Sequence, residues 1–221
     1  MGNVGITVLG VCGSPVKESN TGIFLAESLN QAAALGAQTE LVNLRDYQFG
    51  ECLHCNFCIR KQSEGVYCSQ KDDLNRVILP KVEAADALLV ASPVYFGRLS
   101  ALTAMFLDRL RVFAFGNCCG GKMRNKVGGS LAVAWSRNAG LETTLLSINY
   151  AFLALEMILA SVHHEGVIYG AAGLTSRHGS GKFDPAVRHG IREDEPGLKQ
   201  ARALARRTVE LAGILRGKQP D

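Results

Sequence analysis

The chain has 221 residues, 47% hydrophobic and 20% charged, with a formal net charge of +4. That balance is ordinary for a soluble globular protein and gives enough length to bury one substantial core. A nucleic-acid surface would need clustered Lys and Arg, but the one dense group, Arg202, Arg206 and Arg207, reads as a solvated helix face, and Lys122, Arg124 and Lys126 as a loop leading into a strand, so no nucleic-acid partner is expected. The N-terminus lacks the basic and apolar regions of a secretory signal. The longest apolar stretch, Tyr150 to Val162, is broken by Glu156 and falls short of the roughly 20 residues of a membrane span. A cytoplasmic protein with no membrane partner is expected, and there seven cysteines read as reduced thiols or metal ligands rather than a disulfide framework.

Strand and helix patterns alternate along the chain. A β-branched run, Ile6 to Val11, stops at Cys12-Gly13-Ser14-Pro15. A helix follows from about Asn20 to Leu35, with Ser19, Asn20 and Thr21 as capping candidates and Gly36 at its end. Thr39 to Leu44 is the second strand. A cysteine-rich insertion at about 50–70 interrupts the alternation, and Asp72 and Asp73 open a helix towards Val82. Ala87 to Ala91 is a short buried strand ending at Ser92-Pro93. Leu99 to Phe113 reads as a helix, Lys126 to Ala134 as the fourth strand, Leu141 to Leu159 as a long helix and Ser161 to Tyr169 as the fifth strand. A Gly/His-rich loop or lid covers about 170–194, and an amphipathic helix runs from Pro196 to Arg216. Five strands separated by helices imply an α/β fold, a parallel sheet with helices on both faces. With no linker in sight, residues 1–221 form a single domain.

Cys52-Leu-His-Cys55-Asn-Phe-Cys58 sets three thiols at i, i+3 and i+6, and Cys68 follows after a polar loop. Two-residue spacers let one turn of backbone aim several sulfurs at one point, which is how an iron–sulfur cluster is commonly held. Zinc usually draws two separated pairs into a tetrahedron, so it fits this run less well, although His54 could take part. Unligated thiols are the third reading. The spacing favours the cluster. Cys118-Cys119 cannot easily aim both sulfurs at one metal, and Cys12, at a strand end, suits buried packing. His163, His164 and Glu165 lie at the predicted fifth strand, whose alternate residues face opposite sides.

Ligands of doubly wound sheets bind beyond the carboxyl ends of the strands. Three loops there have unusual composition. Gly13 to Thr21 carries hydroxyls and an amide into a helix N-terminus, where free N–H groups favour a phosphate. It lacks the glycines of a dinucleotide fingerprint and the Gly-Lys-Ser/Thr of a nucleotide-hydrolase loop, so it suits a mononucleotide's phosphate or a plain capped turn. Ser92-Pro93-Val94-Tyr95-Phe96-Gly97 offers flat surfaces on which a planar ring could stack. Trp135-Ser136-Arg137-Asn138-Ala139-Gly140 precedes the long helix, where Arg137 and exposed amides could meet a ring edge.

In this order, GSPVKESNT, SPVYFG with FLDR downstream, and WSRNAG resemble the flavodoxin-like NAD(P)H-dependent FMN reductases. With the cysteine run added, the likeness is to the iron–sulfur flavoprotein group of that superfamily. It covers about Ile6 to Ala160. The resemblance implies a flavodoxin-like sheet of order 2-1-3-4-5, bound FMN, and a homodimer or homotetramer. By position it makes Ser14, Ser19, Asn20 and Thr21 phosphate contacts, with Pro15 shaping the turn. Pro93, Val94, Tyr95, Phe96 and Gly97 become the isoalloxazine platform, helped by Ser136 and Gly140. Cys52, Cys55, Cys58 and Cys68 match the [4Fe-4S] motif, with a longer gap before Cys68 than is usual in that group.

The resulting expectation is an FMN-dependent oxidoreductase. Electrons would pass from NAD(P)H or a reduced ferredoxin-like carrier through FMN, and through the cluster, to a quinone or small organic acceptor. The protein would supply orientation and electrostatics, so no catalytic side chain is assigned. An electron-transfer flavoprotein without substrate turnover, and a dedicated FMN-dependent metabolite dehydrogenase using the 170–190 loop as its pocket, are the alternatives.

Overall fold

The computed structural model describes residues 5–216. Its elements run β1 (Thr7–Cys12), α1 (Asn20–Ala34), β2 (Gln38–Asn43), α2 (Phe57–Arg60), α3 (Leu79–Ala84), β3 (Ala87–Tyr95), β4 (Arg98–Leu99), α4 (Ala101–Arg109), α5 (Arg111–Ala114), β5 (Val127–Ala134), α6 (Leu141–Ala154), β6 (Ile158–Leu159), β7 (Ala171–Leu174) and α7 (Glu195–Arg216). A π-helical turn, Leu74–Ile78, leads into α3.

The sheet order follows from burial. β5 is buried at every position and β3 through Pro93, as strands covered on both faces must be. β2 is exposed at its first four residues, and its Glu40 pairs with Lys81; a short charged strand of this kind suits a sheet edge. The parallel order is β2-β1-β3-β5, with β6 and β7 both against β5 and β4 folding back on β3 as a hairpin. With β6 and β7 counted as one strand position, this is the expected 2-1-3-4-5 sheet. α1 and α7 cover one face around Phe24, Leu89, Leu204 and Val209. Helices α3 to α6 cover the other around Leu88, Phe106, Phe113 and Phe152. The register sets Cys12 beside Asn43 and Ala91, and Pro93 beside Val133. The carboxyl ends of β1, β3 and β5 therefore finish together.

Four expected elements are corrected. The third strand does not end at Ser92-Pro93 but continues to Tyr95, because its last residues pair with β4 in the hairpin. Ser161 to Tyr169 is not a strand. Val162 and Val167 bridge antiparallel around a 3-10 turn at His163–Glu165, closed by Gly166 at φ 78°. The Ser161 hydroxyl donates to the carbonyls of Val167 and Ile168 at 3.1 and 3.0 Å, which a straight strand would offer to its neighbour. The polar His-His-Glu run sits outside the sheet, and the strand position falls to residues on either side of it. The long helix stops at Ala154 rather than Leu159, because Glu156 turns left-handed at φ 58° and releases Ile158 to pair with Val127. Leu99 to Phe113 is two helices and a strand residue. Leu99 pairs with Val94 in the hairpin, Ser100 caps α4, and Leu110 at φ −66°, ψ −7° separates α4 from α5.

Candidate functional site

The first loop is held open by hydrogen bonds that leave its helix end exposed. Ser19 is the N-cap of α1 and accepts the Gly22 N–H at 3.0 Å. The Ser14 hydroxyl, buried, accepts the Val16 N–H at 3.2 Å. Arg45 Nε donates to the Pro15 carbonyl at 3.1 Å, and Ser100 Oγ donates to the Gly13 carbonyl at 2.7 Å. The turn is thus pinned from outside. The Gly22 N–H is met by the Ser19 hydroxyl, and the Asn20 and Thr21 N–H groups at the start of α1 have no intrahelical acceptor; both residues line the cleft.

The second loop is a two-residue hairpin. Tyr95 pairs with Arg98, and the turn between them places Phe96 at φ 50° and Gly97 at φ 75°. Two left-handed residues match the strand twist, although a left-handed phenylalanine is rare. Phe96 is fully exposed at the tip. The third loop packs on this hairpin. Gly140 sits at φ 103°, and a Cβ there would lie 2.5 Å from the backbone of Gly97. A side chain at 140 would push the two loops apart. Ser136 pairs with Ser180 in an antiparallel bridge, and the Arg137 N–H donates to the Gly179 carbonyl at 3.1 Å, so this loop is also fastened to the Gly/His-rich segment.

Together the loops enclose a cleft of about 320 Å³ at the carboxyl ends of β1, β3 and β5, within the range of small-molecule sites. Ser14, Val16, Lys17, Glu18, Ser19, Asn20, Thr21, Pro93, Val94 and Tyr95 line it; the first loop's wall is mostly polar, with hydroxyls and the charges of Lys17 and Glu18, and the β3 wall is apolar. Pro15, Phe96, Gly97, Ser136 and Gly140 do not line it; they shape the turns around it. Burial raises the Tyr95 phenol above its usual pKa.

Sequence reasoning missed part of the wall. Val133, Ala134 and Trp135 come from the end of β5, a position that the strand-end rule could have pointed to. Thr175 follows β7, hidden because the fifth strand was misplaced. Arg188 and His189 have no local signal: the Ile191 N–H donates to Asn20 Oδ1 at 3.2 Å, which draws that segment onto the start of α1. Asn20 thereby spends its carbonyl oxygen on the fold and keeps its amide NH₂. Arg188 pairs with Glu18 at 3.2 Å, both exposed, a contact worth little in water.

The cysteine segment lines a second pocket. Cys52, Cys55, Cys58 and Cys68 line one pocket together with His54, Arg109 and Arg111. His54 at φ 49° and Asn56 at φ 58° turn the backbone on either side of Cys55; both residue types tolerate that conformation. Ser69 Oγ, 3.3 Å from Cys55 Sγ, and the Phe57 N–H hold the Cys55 thiol below its usual pKa. Among the described residues no three His, Cys, Asp or Glu side chains converge as a single-ion site. Gln62, buried, ties the insertion to the body: its Nε2 donates to Val112 O at 3.2 Å, and its Oε1 accepts the N–H groups of Cys118 and Cys119 at 3.1 and 2.8 Å. Burial pushes the Cys119 thiol up to about 11, and burial likewise raises Cys12.

A parallel 2-1-3-4-5 sheet with a capped loop after its first strand and a cleft over its carboxyl edge defines a flavodoxin-like protein. Residues 6–164 match the NADPH-dependent FMN reductase family. The chain is 36% identical over 209 residues to an iron-sulfur flavoprotein of Methanocaldococcus jannaschii, covering 95% of this chain and 98% of that one. It is 31% identical over 215 residues to an iron-sulfur flavoprotein of Archaeoglobus fulgidus, covering 93% and 94%. In fold it resembles RosB, solved with bound 8-demethyl-8-formylriboflavin-5'-phosphate, at TM-score 0.72 and 17% identity over 96% of this chain and 81% of RosB. The chain belongs to the NADPH-dependent FMN reductase family, in its iron–sulfur flavoprotein group. It is an NAD(P)H-dependent FMN oxidoreductase. No described helix is long and apolar enough to cross a membrane.

Proposed function

We propose that the cleft holds FMN, with its phosphate in the loop of Ser14, Pro15, Ser19, Asn20 and Thr21. The ring would lie against Pro93, Val94 and Tyr95, with Trp135 opposite and Phe96, Gly97, Ser136 and Gly140 fixing the loops around it. The observation that carries this reading is the division of one cleft into a mostly polar, hydroxyl-bearing end at a helix N-terminus and an apolar end beside two half-exposed aromatics. The fit is chemical. A phosphate dianion matches the α1 N-terminus, and a flat ring matches the aromatic wall.

We also read the cysteine pocket as a [4Fe-4S] site. Its donors are four sulfurs, and the guanidinium groups beside them retain buried N–H groups without acceptors, which suits an anionic, sulfur-rich occupant. When bound, FMN accepts hydride from NAD(P)H and can release electrons singly, and the cluster carries one electron at a time. The chain's own work is to bind and orient. The α1 N-terminus anchors the phosphate. Tyr95 and Trp135 shield the ring from water, and Cys52, Cys55, Cys58 and Cys68 fix the relay. The acceptor is a quinone or small organic molecule. The protein acts as a homodimer or homotetramer, with the exposed cysteine segment at a subunit contact.

Anaerobically purified protein should show flavin absorption together with iron and sulfide, and should oxidise NADH or NADPH with a quinone or ferricyanide. Cys55→Ala should lower iron content while FMN occupancy stays nearly intact. Colourless protein that takes up no FMN at micromolar concentration would overturn the flavin assignment; flavin without iron would remove the cluster.

A further inference from the structure

The cysteine pocket contains two cations whose hydrogen bonding is incomplete. Arg109 has a side chain only 1% exposed. Its Nη1 donates to Gly50 O at 2.9 Å and to Asp72 Oδ2 at 2.7 Å, and its Nη2 to Asp72 Oδ1 at 3.1 Å. Its Nε–H is buried with no acceptor. Arg111 repeats the pattern two residues on. Its Nη2 donates to Asn56 Oδ1 at 2.8 Å, its guanidinium lies 5.4 Å from the centre of the Phe115 ring, and its Nε–H is also buried without an acceptor. Both line the same pocket as the four cysteines.

A buried donor on a charged group is expensive to leave unpaired, and two in one pocket call for a shared acceptor. Asp72 offsets the charge of Arg109. Arg111 has no carboxylate partner among the described residues; its contacts are an amide and an aromatic face. The pocket's acceptors are the four cysteine sulfurs, His54 and the amide oxygens of Asn56 and Gln70, and Asn56 already accepts from Arg111 Nη2; the sulfurs are the most numerous.

We propose that Arg109 and Arg111 donate N–H···S hydrogen bonds to the cluster held by Cys52, Cys55, Cys58 and Cys68 and raise its reduction potential. This positioning role rests on the cluster assignment above. Reduction adds one electron to the cluster, with no bond made or broken and no proton taken up, so the site becomes more negative. Fixed cations and hydrogen bonds to sulfur stabilise the reduced state more than the oxidised one. Arg111 should contribute more, because its charge is not already met by a carboxylate.

The test uses intact, anaerobically purified protein and its Arg111→Gln and Arg111→Lys variants. Iron, sulfide and FMN are assayed, then the cluster is titrated with dithionite while its electron paramagnetic resonance signal is followed. Arg111→Gln should keep FMN and show a roughly tenfold lower equilibrium constant for one-electron cluster reduction, a downward shift of about 59 mV. Arg111→Lys keeps the charge but loses the planar Nε–H, and should fall between variant and parent. The flavin titration should not move. Loss of iron from Arg111→Gln with FMN retained would also support the contact. A full cluster in Arg111→Gln titrating at the parent's potential would overturn the proposal while leaving the cluster reading intact. Parent protein without iron would overturn both. If Arg111→Gln does not fold, Arg111→Lys decides: an unchanged cluster potential there counts against the hydrogen bond.

Discussion

Asp72 shows how one carboxylate can organise the ground beneath a binding pocket. Burial alone would raise its pKa; the bidentate Arg109 guanidinium and the Asn75 N–H more than reverse this and hold it below the usual carboxylate value. A carboxyl depressed in the folded state contributes stability above its unfolded pKa, near 3.9, and that contribution is lost as pH falls through the lower folded value. Because Arg109 is fully buried, removing its partner strands a charge. Asp72→Asn is expected to lower unfolding free energy at pH 7 by about 3 kcal/mol in urea titrations. The gap from the parent should narrow as pH drops below about 4, where the carboxyl in the unfolded parent chain begins to protonate while the folded one does not. A gap that stayed constant from pH 7 to pH 3 would show that the carboxylate's charge is not what stabilises the pair. The same pair sets Arg109 against the cysteine segment, so a residue that no motif would select fixes the orientation of a pocket wall.

At the scale of elements, α4 links the cleft and the cysteine pocket. Ser100 at its N-terminus holds the Gly13 carbonyl of the first loop, and Arg109 at its C-terminus lines the cysteine pocket, roughly 14 Å apart at helical rise. Ser100 Oγ also caps the helix by accepting the Thr103 N–H at 3.1 Å, and the Ser100 N–H donates to Ser92 Oγ at 3.0 Å. Ser100→Ala removes the cap and leaves a buried carbonyl without its donor, an expected loss of about 2 kcal/mol in chemical denaturation. It should also weaken FMN binding in fluorescence titrations, although Ser100 lies outside the cleft; unchanged affinity would show that the loop holds its shape without it. The elements that position the cleft were legible in the sequence. The buried runs of β3 and β5, the Ser19 cap and the break at Ser14-Pro15 all carry local signals, and the four spaced cysteines do line one pocket. What was not legible depends on tertiary contact. The apolar residues around His163 to Glu165 read as one strand, because periodicity cannot show that a polar turn divides them. Arg188 and His189 reach the cleft through Asn20, a bond across more than 160 residues. The unpaired Nε groups of Arg109 and Arg111 exist only once α4 and α5 lie against the cysteine run.

For the whole molecule, the decisive comparison is between ligands that share a ring and differ in a phosphate. If the first loop is an anion cradle, FMN must stabilise the folded chain and riboflavin must do so far less. A ligand that binds only the native state adds about 2.7 kcal/mol at a hundredfold excess over its Kd. For a chain of this length each kcal/mol raises Tm by roughly 2–4 °C. FMN at that excess over its own Kd should therefore raise the Tm of flavin-free protein by about 5–10 °C in calorimetry. Riboflavin at the same concentration should give a shift near zero, because it offers the apolar wall of Pro93, Tyr95 and Trp135 the same ring and the α1 N-terminus no charge. The phosphate's share is electrostatic and falls with added salt, whereas the ring's share is apolar and does not. Raising ionic strength should thus shrink the FMN shift towards the riboflavin value. Equal shifts for the two ligands would mean that the loop from Ser14 to Thr21 is only a capped turn and that affinity resides in the aromatic wall.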